Sequence, residues 1–389
     1  MKKKTVKGFK DYSEEESEKR DEIRKIIVDL FERYGFRPAE TPIIEYEEFV
    51  KGEEPQGKNK EKNKDEAISD VFTLKDKGKR KLALRYEFTF QLKRLMKNKK
   101  LPFKRYQMGP VFRDEPVSGN RLRQFVQCDA DIIGSSIQDE AEVLGLARDI
   151  LSNLGVKDSI ILINNRKLLN EILDDEGVKE KDKQNVLREI DKYDKISEKQ
   201  VKKNLKKYNA SNIIDSLKKG EKFFSQFPSY KKIIGLKEYC KLYGVDVKFA
   251  PTMVRGLSYY NGSIFEVKAK GIKETIIGGG SFKFNKKQCT GISFGLDRLS
   301  LLADVDSEKE RYLVVSLEED KEAVKLSERL RNLGKIVSIY YGKPSKALEY
   351  ANSYNIQNAI FVGRKEVKAG KFKVKDLRTG KEKKLSLKL

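Results

Sequence analysis

Histidine is absent from this 389-residue chain, and so is tryptophan. Without histidine the commonest general acid–base is missing, and zinc sites built from cysteine and histidine are excluded; no metal-ligating residue is expected. Cysteine is scarce as well. Cys128, Cys240 and Cys289 lie far apart with no CxxC pair, which excludes a disulfide framework and fits a reducing, cytoplasmic setting. Long apolar runs are also lacking. Nothing approaches the roughly 18 consecutive apolar residues of a membrane span, and the N-terminal "MKKKTVKGFKDY" has no apolar stretch of the kind a signal peptide needs.

Positive charge is what the chain has in excess. Its 83 Lys and Arg against 60 Asp and Glu give a formal net charge of +23. That favours a polyanionic partner, nucleic acid first, over a lysine surface serving only solubility. A hydrophobic content of 38%, with 20 Phe and 17 Tyr, is enough for folded cores. The length suggests two or three domains.

Ser13 with Glu16 predicts a capping box. The helix that follows carries Ile23, Ile26, Ile27, Leu30, Phe31 and Tyr34 at helical spacing and stops at Gly35. "FRPAETPIIEYEEF" reads as a strand interrupted by prolines, and Pro42 places it at a sheet edge or an interface. Residues 51–66 carry almost no apolar side chain and read as a solvated loop. "VFTLKD" and "KLALRYEFTF" predict a hairpin arm and a strand running into a helix. "FKRYQMGPVFRDE" and "LRQFVQCDADIIG" predict two strands joined by a polar loop, and residues 139–154 an amphipathic helix ending at Gly155. From 166 to 243, dense charge and short apolar repeats predict a small helical module inserted into the larger domain. The strand pattern then returns. The last 80 or so residues alternate strand and helix and end in a hairpin around Thr379-Gly380, which predicts a separate α/β domain with a partly parallel sheet.

Successive side chains of a strand face opposite sides. Across 122–133, Arg123, Phe125, Gln127, Asp129 and Asp131 fall on one face; Gln124, Val126, Cys128, Ala130 and Ile132 fall on the other. The second set suits a core. The first suits either a solvated outer face or a ligand. In a hairpin, Arg113 and Glu115 of "VFRDE" come close to Arg121 and Arg123, a plausible grip on a phosphate or carboxylate. "LALRYEFTF" offers Glu87 and Thr89, and "GISFGLDRL" puts Arg298 in the first turn of a helix. "IIGGGSF" allows a ligand to approach the backbone closely, or marks only a tight turn. "MVRGLSYYNG" sets Arg255 just ahead of Tyr259 and Tyr260; the plainer reading of Arg255 is a structural arginine paired with a carboxylate such as Glu266.

Taken in order, these segments resemble the histidyl-tRNA synthetase family of class II aminoacyl-tRNA synthetases. "ETPIIE" resembles class II motif 1, "YQMGPVFRDE…RLRQFVQCDADIIG" motif 2, and "TGISFGLDRL" motif 3. "MVRGLSYYNGSIFEV" is similar to the signature peculiar to the histidyl enzymes, and "AIFVGRKEVKAGKFKVKDLRTGKE" resembles the end of their anticodon-binding domain. The likeness covers almost the whole chain. The histidyl signature is its most specific part; motifs 1 and 3 alone are loose.

The resemblance implies an α+β fold. A mostly antiparallel class II catalytic core would span 1–165 and 244–305, with an inserted helical module at 166–243 embracing the tRNA acceptor arm. A C-terminal α/β anticodon-binding domain would occupy 310–389. It implies a cytoplasmic homodimer with motif 1 at the interface, and no membrane partner. The reaction would be ATP-dependent activation of L-histidine to histidyl-adenylate and transfer to tRNA(His) for translation, with ATP as substrate and Mg2+ accompanying it. By the same resemblance Arg113 grips the α-phosphate and the amino-acid carboxylate, Glu115 contacts the adenine end, and Arg298 holds the γ-phosphate. Glu87, Thr89 and Gln127 bind the α-amino group. Asp131 and Tyr260 bracket the imidazole, with Tyr259 beside them in the histidine pocket. Arg255 faces Arg113 across the α-phosphate.

The chemistry agrees with a chain that has no histidine. The attacking carboxylate is already ionised, so positioning and charge stabilisation suffice and no general base is needed. Neutral imidazole offers one donor and one acceptor, which an acid and a phenol match. Three residues depart from the family's usual pattern. Ser281 stands where an arginine is frequent, Ser258 where an acid is, and Pro116 where bacterial members often carry an arginine for the extra 5′ guanosine of the tRNA. The main rival is a catalytically inactive paralogue acting as a histidine-sensing regulatory subunit. Such paralogues tend to lose the arginines and the C-terminal domain, both of which this chain keeps.

Overall fold

In the computed structural model, which describes residues 3–51, 70–119, 121–255, 259–284 and 286–385, the first long element is the helix Glu14–Arg33. It forms on the predicted stripe: Ile23, Ile27, Leu30 and Phe31 are buried along one face. Gly35, with φ +77°, ends it in a left-handed conformation. The predicted capping box does not form. Ser13 makes no side-chain cap, and the Glu16 carboxylate pairs with Lys10 at 2.6 Å. A capping box is found at the helix Ile137–Asn153, between Ser136 and Asp139.

The strands of the first unit, Met1–Val305, are β1 (Arg37–Pro38), β2 (Ile44–Tyr46), β3 (Thr73–Lys75), β4 (Lys81–Leu84), β5 (Phe103–Phe112), β6 (Gln124–Ile133), β7 (Ser159–Asn165), β8 (Val247–Phe249), β9 (Tyr260–Ala269), β10 (Ile277–Phe284) and β11 (Lys287–Gly295). Eight form one sheet in the order β1-β5-β6-β11-β10-β9-β7-β8. Only its two edge pairs are parallel; the interior is antiparallel throughout. A small antiparallel sheet, β2-β4-β3, stands apart. The segment read as one proline-broken strand is thus divided: β1 lies at the edge of the large sheet, β2 belongs to the small one, and Glu47–Lys51 is a helix. The loop expected at 51–66 lies outside the described residues apart from Lys51, which ends that helix.

One face of the large sheet is covered by helices. Cys128, Ala130 and Ile132 of β6 join Phe31, Leu144 and Ile150 in a single apolar core. The helices between β7 and β8, from Arg166 to Leu242, contribute Leu168, Leu187, Val201, Ile213 and Leu236 to that same core. The module is therefore fused to the sheet rather than tethered to it. With one face occupied, the other is left for a site.

The second unit, Asp306–Leu389, carries β12 (Arg311–Ser316), β13 (Ile336–Tyr341), β14 (Asn358–Val362), β15 (Lys373–Asp376) and β16 (Glu382–Lys384), ordered β13-β12-β14-β15-β16. The first three strands are parallel and the last two antiparallel, the partly parallel sheet that the alternation predicts. A short helix, Arg364–Ala369, was not expected.

Candidate active site

On β6 the polar face proves to be buried. Gln127, Asp129 and Asp131 are only 3%, 2% and 5% exposed, so the solvated-face reading fails. The neighbouring strands explain why. Register places Arg105, Gln107 and Gly109 of β5 opposite Asp131, Asp129 and Gln127, and Gly291, Ser293 and Gly295 of β11 opposite the same three residues on the other side. The row is therefore walled in by the sheet itself.

The glycines make the floor. Gly280 and Gly291 pair directly across β10 and β11. A side chain on Gly280 would strike the Tyr260 ring at 2.9 Å, and one on Gly291 would overlap the Asp131 carboxylate. Tyr260 and Asp131 thus converge over two adjacent backbone positions that carry no side chain. "IIGGGSF" is a strand beneath Tyr260 and Asp131 and not a turn. Tyr259 packs on Tyr260 with ring centroids 4.8 Å apart and is hydrogen-bonded to Thr89.

Charge is concentrated here among buried side chains. Burial, reinforced by the nearby Asp129, pushes Glu87 up to about 8. Burial likewise pushes Asp131 up to about 7, against the pull of Arg105. Gln127 Nε2 donates to both Asp129 oxygens at 3.0 Å, and its Oε1 accepts from Arg113 Nη2 at 3.2 Å. Arg113 lies over the rings of Tyr86 and Phe125, 4.4 and 5.1 Å from their centroids.

The arginines form one connected set. Arg255 Nη1 meets Glu266 at 3.1 Å, the partner that the structural reading of Arg255 names. Thr275 Oγ1 donates to the other Glu266 oxygen at 2.9 Å, and Arg298 Nη1 donates to the Thr275 carbonyl at 2.6 Å. Thr275 thereby ties Arg298 to Arg255. Burial lowers the Arg298 pKa, Glu274 opposes this, and the charges of Arg121 and Arg113 lower it further. These three cations therefore share one anion-seeking field. Glu115 is fixed at its rim by Tyr86 at 3.0 Å and Arg121 at 3.1 Å; Arg123 Nε donates to the Glu115 carbonyl at 3.0 Å and its Nη1 pairs with Asp114 at 3.2 Å.

A family model for histidyl-tRNA synthetase matches residues 8–299, and one for an anticodon binding domain matches 311–388. The chain belongs to the histidyl-tRNA synthetase family. Among relatives of that family, histidine–tRNA ligase 2 of Shouchella clausii (strain KSM-K16) is 32% identical, aligned over 97% of this chain and 96% of its own. The histidine–tRNA ligase of Wolinella succinogenes is 33% identical over 97% and 95%. The crystal structure of histidyl-tRNA synthetase from Nostoc sp. PCC 7120 shares the fold with a TM-score of 0.84, at 24% identity, covering 99% of this chain and 97% of that one. A Bacillus halodurans structure titled as an ATP phosphoribosyltransferase regulatory subunit/histidyl-tRNA synthetase shares the fold at a TM-score of 0.77 and 21% identity, over 92% of this chain and 98% of that one.

The departures from the family pattern now have places. Ser281 is buried on the helix-covered side of β10, where its hydroxyl donates to Glu140; it does not face the cavity. Pro116 is exposed in the loop between β5 and β6. Ser258 lies outside the described residues. The residue that sequence reasoning missed is Arg105, whose side chain is wholly buried beside Asp131.

Proposed function

We propose that the protein activates L-histidine with ATP and transfers it to tRNA(His). The observation that carries this reading is the buried row Gln127, Asp129 and Asp131 facing Tyr260 across the Gly280–Gly291 floor, flanked by the linked arginines. The histidine carboxylate attacks the α-phosphorus of ATP and pyrophosphate leaves. The hydroxyl of the tRNA's terminal ribose then attacks the acyl carbon and releases AMP.

Arg113 and Arg255 stabilise the charge that builds on the α-phosphate, and Arg298 holds the γ-phosphate. Glu115 receives the adenine end. Glu87, Thr89 and Gln127 hold the α-ammonium, and Asp131 and Tyr260, with Tyr259 packed behind, hold the imidazole. The donor geometry supports these roles: a preorganised cation in a dry site stabilises a developing anion without reorganising. Glu266 and Tyr260 both engage Arg255 and its Nε is buried, so its remaining Nη hydrogens are the donors that would meet the phosphate.

Mg2+ is proposed to arrive on the nucleotide phosphates as part of the substrate. Among the described residues no group of three or more His, Cys, Asp and Glu could hold a metal ion. Ile43, Ile44 and Tyr46 are large apolar residues left exposed, which supports a homodimer through the motif 1 region. Three free buried thiols support a cytoplasmic location, and among the described residues no helix is long and apolar enough to cross a membrane. The inserted helices, 166–243, would face the acceptor arm and the second unit the anticodon stem-loop. The test is ATP–pyrophosphate exchange with each of the twenty amino acids. Exchange with histidine alone is expected; exchange with none would move the reading to a regulatory paralogue.

A further inference from the structure

Among the described residues Arg105 is the largest fully buried side chain, with no exposed surface at all. It therefore touches no substrate. Its Nη2 pairs with Asp131 Oδ2 at 2.7 Å and donates to the Phe88 carbonyl at 3.1 Å. Among the described residues its Nε and Nη1 have no hydrogen-bond partner. A guanidinium this buried, with two of its three nitrogens unpartnered, is poorly explained by packing, since burying an incompletely paired charge is costly. Its use must lie in its charge.

The surroundings of Asp131 say what that use is. From its own strand Asp129 repels it. From the segment before the helix Leu92–Leu95, Glu87 adds a second acid; from β11 comes the neutral thiol of Cys289. Among the described residues the cation packed against Asp131 is Arg105, reaching in from β5 directly opposite. Three buried carboxyl groups that repel one another do not all ionise unaided.

We propose that Arg105 is the positioning residue that favours the carboxylate form of Asp131, so that from neutrality upward a ring presenting an N–H is accepted there. The proposal rests on the histidine-binding reading of the cavity. An ionised Asp131 accepts and cannot donate. The imidazole must then turn its N–H to Asp131 and its lone pair to the Tyr260 hydroxyl. A protonated Asp131 would donate instead and scramble that code. Arg105 thus acts on specificity through the charge state of its neighbour.

The experiment is calorimetric titration of the full chain with L-histidine between about pH 6 and 9, for wild type, Arg105→Gln and Arg105→Lys. The titration of free histidine is common to all three and cancels in the comparison. In wild type, histidine affinity is expected to fall as Asp131 takes up a proton on the acid side. In Arg105→Gln that fall moves to higher pH, so affinity near neutrality drops about tenfold for each unit of the move and recovers in alkali. Arg105→Lys keeps the charge and stays close to wild type. A loss of the same size at every pH would mean a structural role only and overturn the proposal, as would unchanged binding in Arg105→Gln. Should Arg105→Gln fail to fold, Arg105→Met takes its place beside Arg105→Lys, removing the charge while still filling the buried volume. Its affinity near neutrality is expected to fall and to recover in alkali while that of Arg105→Lys does not, and a folded Arg105→Met that follows the wild-type curve overturns the charge account. Wild type that binds no histidine would overturn the reading of the cavity itself, and this proposal with it.

Discussion

The guanidinium of Arg255 lies directly against the backbone of Gly278: a methyl group at that glycine would come within 2.5 Å of Nη1 and Nη2. Glu266, which sits opposite Gly278 in the β9–β10 register, then holds Nη1 from the side. The arginine is thus located by a missing side chain beneath it and a carboxylate beside it.

Gly278→Ala is therefore expected to fold and to displace Arg255. The cavity floor under Tyr260 and Asp131 is untouched, so histidine binding is retained. The rate of histidine-dependent pyrophosphate exchange should fall toward that of Arg255→Ala, on the order of 10²–10³ below wild type, as for loss of one preorganised donor. Arg255→Lys should rescue poorly, because a point charge does not reproduce a planar fork. Near-normal exchange in a well-folded Arg255→Ala protein would leave Arg255 only its ion pair with Glu266.

Much of this site was legible in the sequence, but not from strand parity alone. Alternation put Gln127, Asp129 and Asp131 on one face and could not tell a solvated face from a walled one, since both have period two. The resemblance supplied the roles, and the two flanking strands supplied the burial. Arg105 escaped because a basic residue in "FKRYQM" reads as exposed; only its register opposite Asp131 gives it away. Parity did contain the answer for Ser281, three places after Gly278 and so on the opposite face. The cap expected at Ser13 does not form and Glu16 pairs with Lys10, alternatives that sequence does not rank.

The acids of the empty cavity should make the free protein less stable as pH rises. Glu87 is pushed up to about 8 and Asp131 to about 7, whereas in an unfolded chain such groups lose their protons near about pH 4. Between these limits the folded state holds more protons than the unfolded one, so stability falls with rising pH across that window. Glu87→Gln removes the larger contribution. It is expected to raise the melting temperature of the empty protein by a few degrees near about pH 8, and to abolish histidine binding by removing the counter-charge of the α-ammonium. Thermal melts of both proteins against pH check this. A glutamine variant less stable than wild type at every pH would mean that Glu87 is ionised and partnered in the empty site.

Tyr260→Phe keeps the ring over Gly280 and removes the hydroxyl. Losing one partner of a buried polar group costs roughly 1–3 kcal/mol, about 5- to 150-fold in histidine KM, while the KM for ATP should change little. Asp131→Asn should act in the same direction but also takes from Arg105 the carboxylate it pairs with, leaving Asp129 as its counter-charge, so it should melt earlier than Tyr260→Phe. Steady-state exchange kinetics with each substrate varied in turn separate the two effects. Equal losses for histidine and ATP would misplace the imidazole pocket.

A chain ended at Val305 should still activate histidine. The core of the first unit runs from Ile23 to Ala303 and draws on nothing beyond. The second unit has cores of its own on both sides of its sheet: Val314, Leu326, Leu330 and Ile360 on one, Leu313, Val315, Ala347 and Ala351 on the other. Neither unit needs the other to bury its apolar face. The truncated protein is therefore expected to fold and to catalyse pyrophosphate exchange within a few-fold of the full chain, because every residue assigned to the first half-reaction precedes Ser300. Charging of tRNA should fall by about tenfold or more, and the dependence of tRNA binding on salt should become shallower, since lysines and arginines of the second unit no longer displace counterions from the phosphates. Filter binding across a salt series reads the slope, and aminoacylation reads the loss. A folded truncation that charged tRNA as well as the full chain would remove the second unit from tRNA recognition.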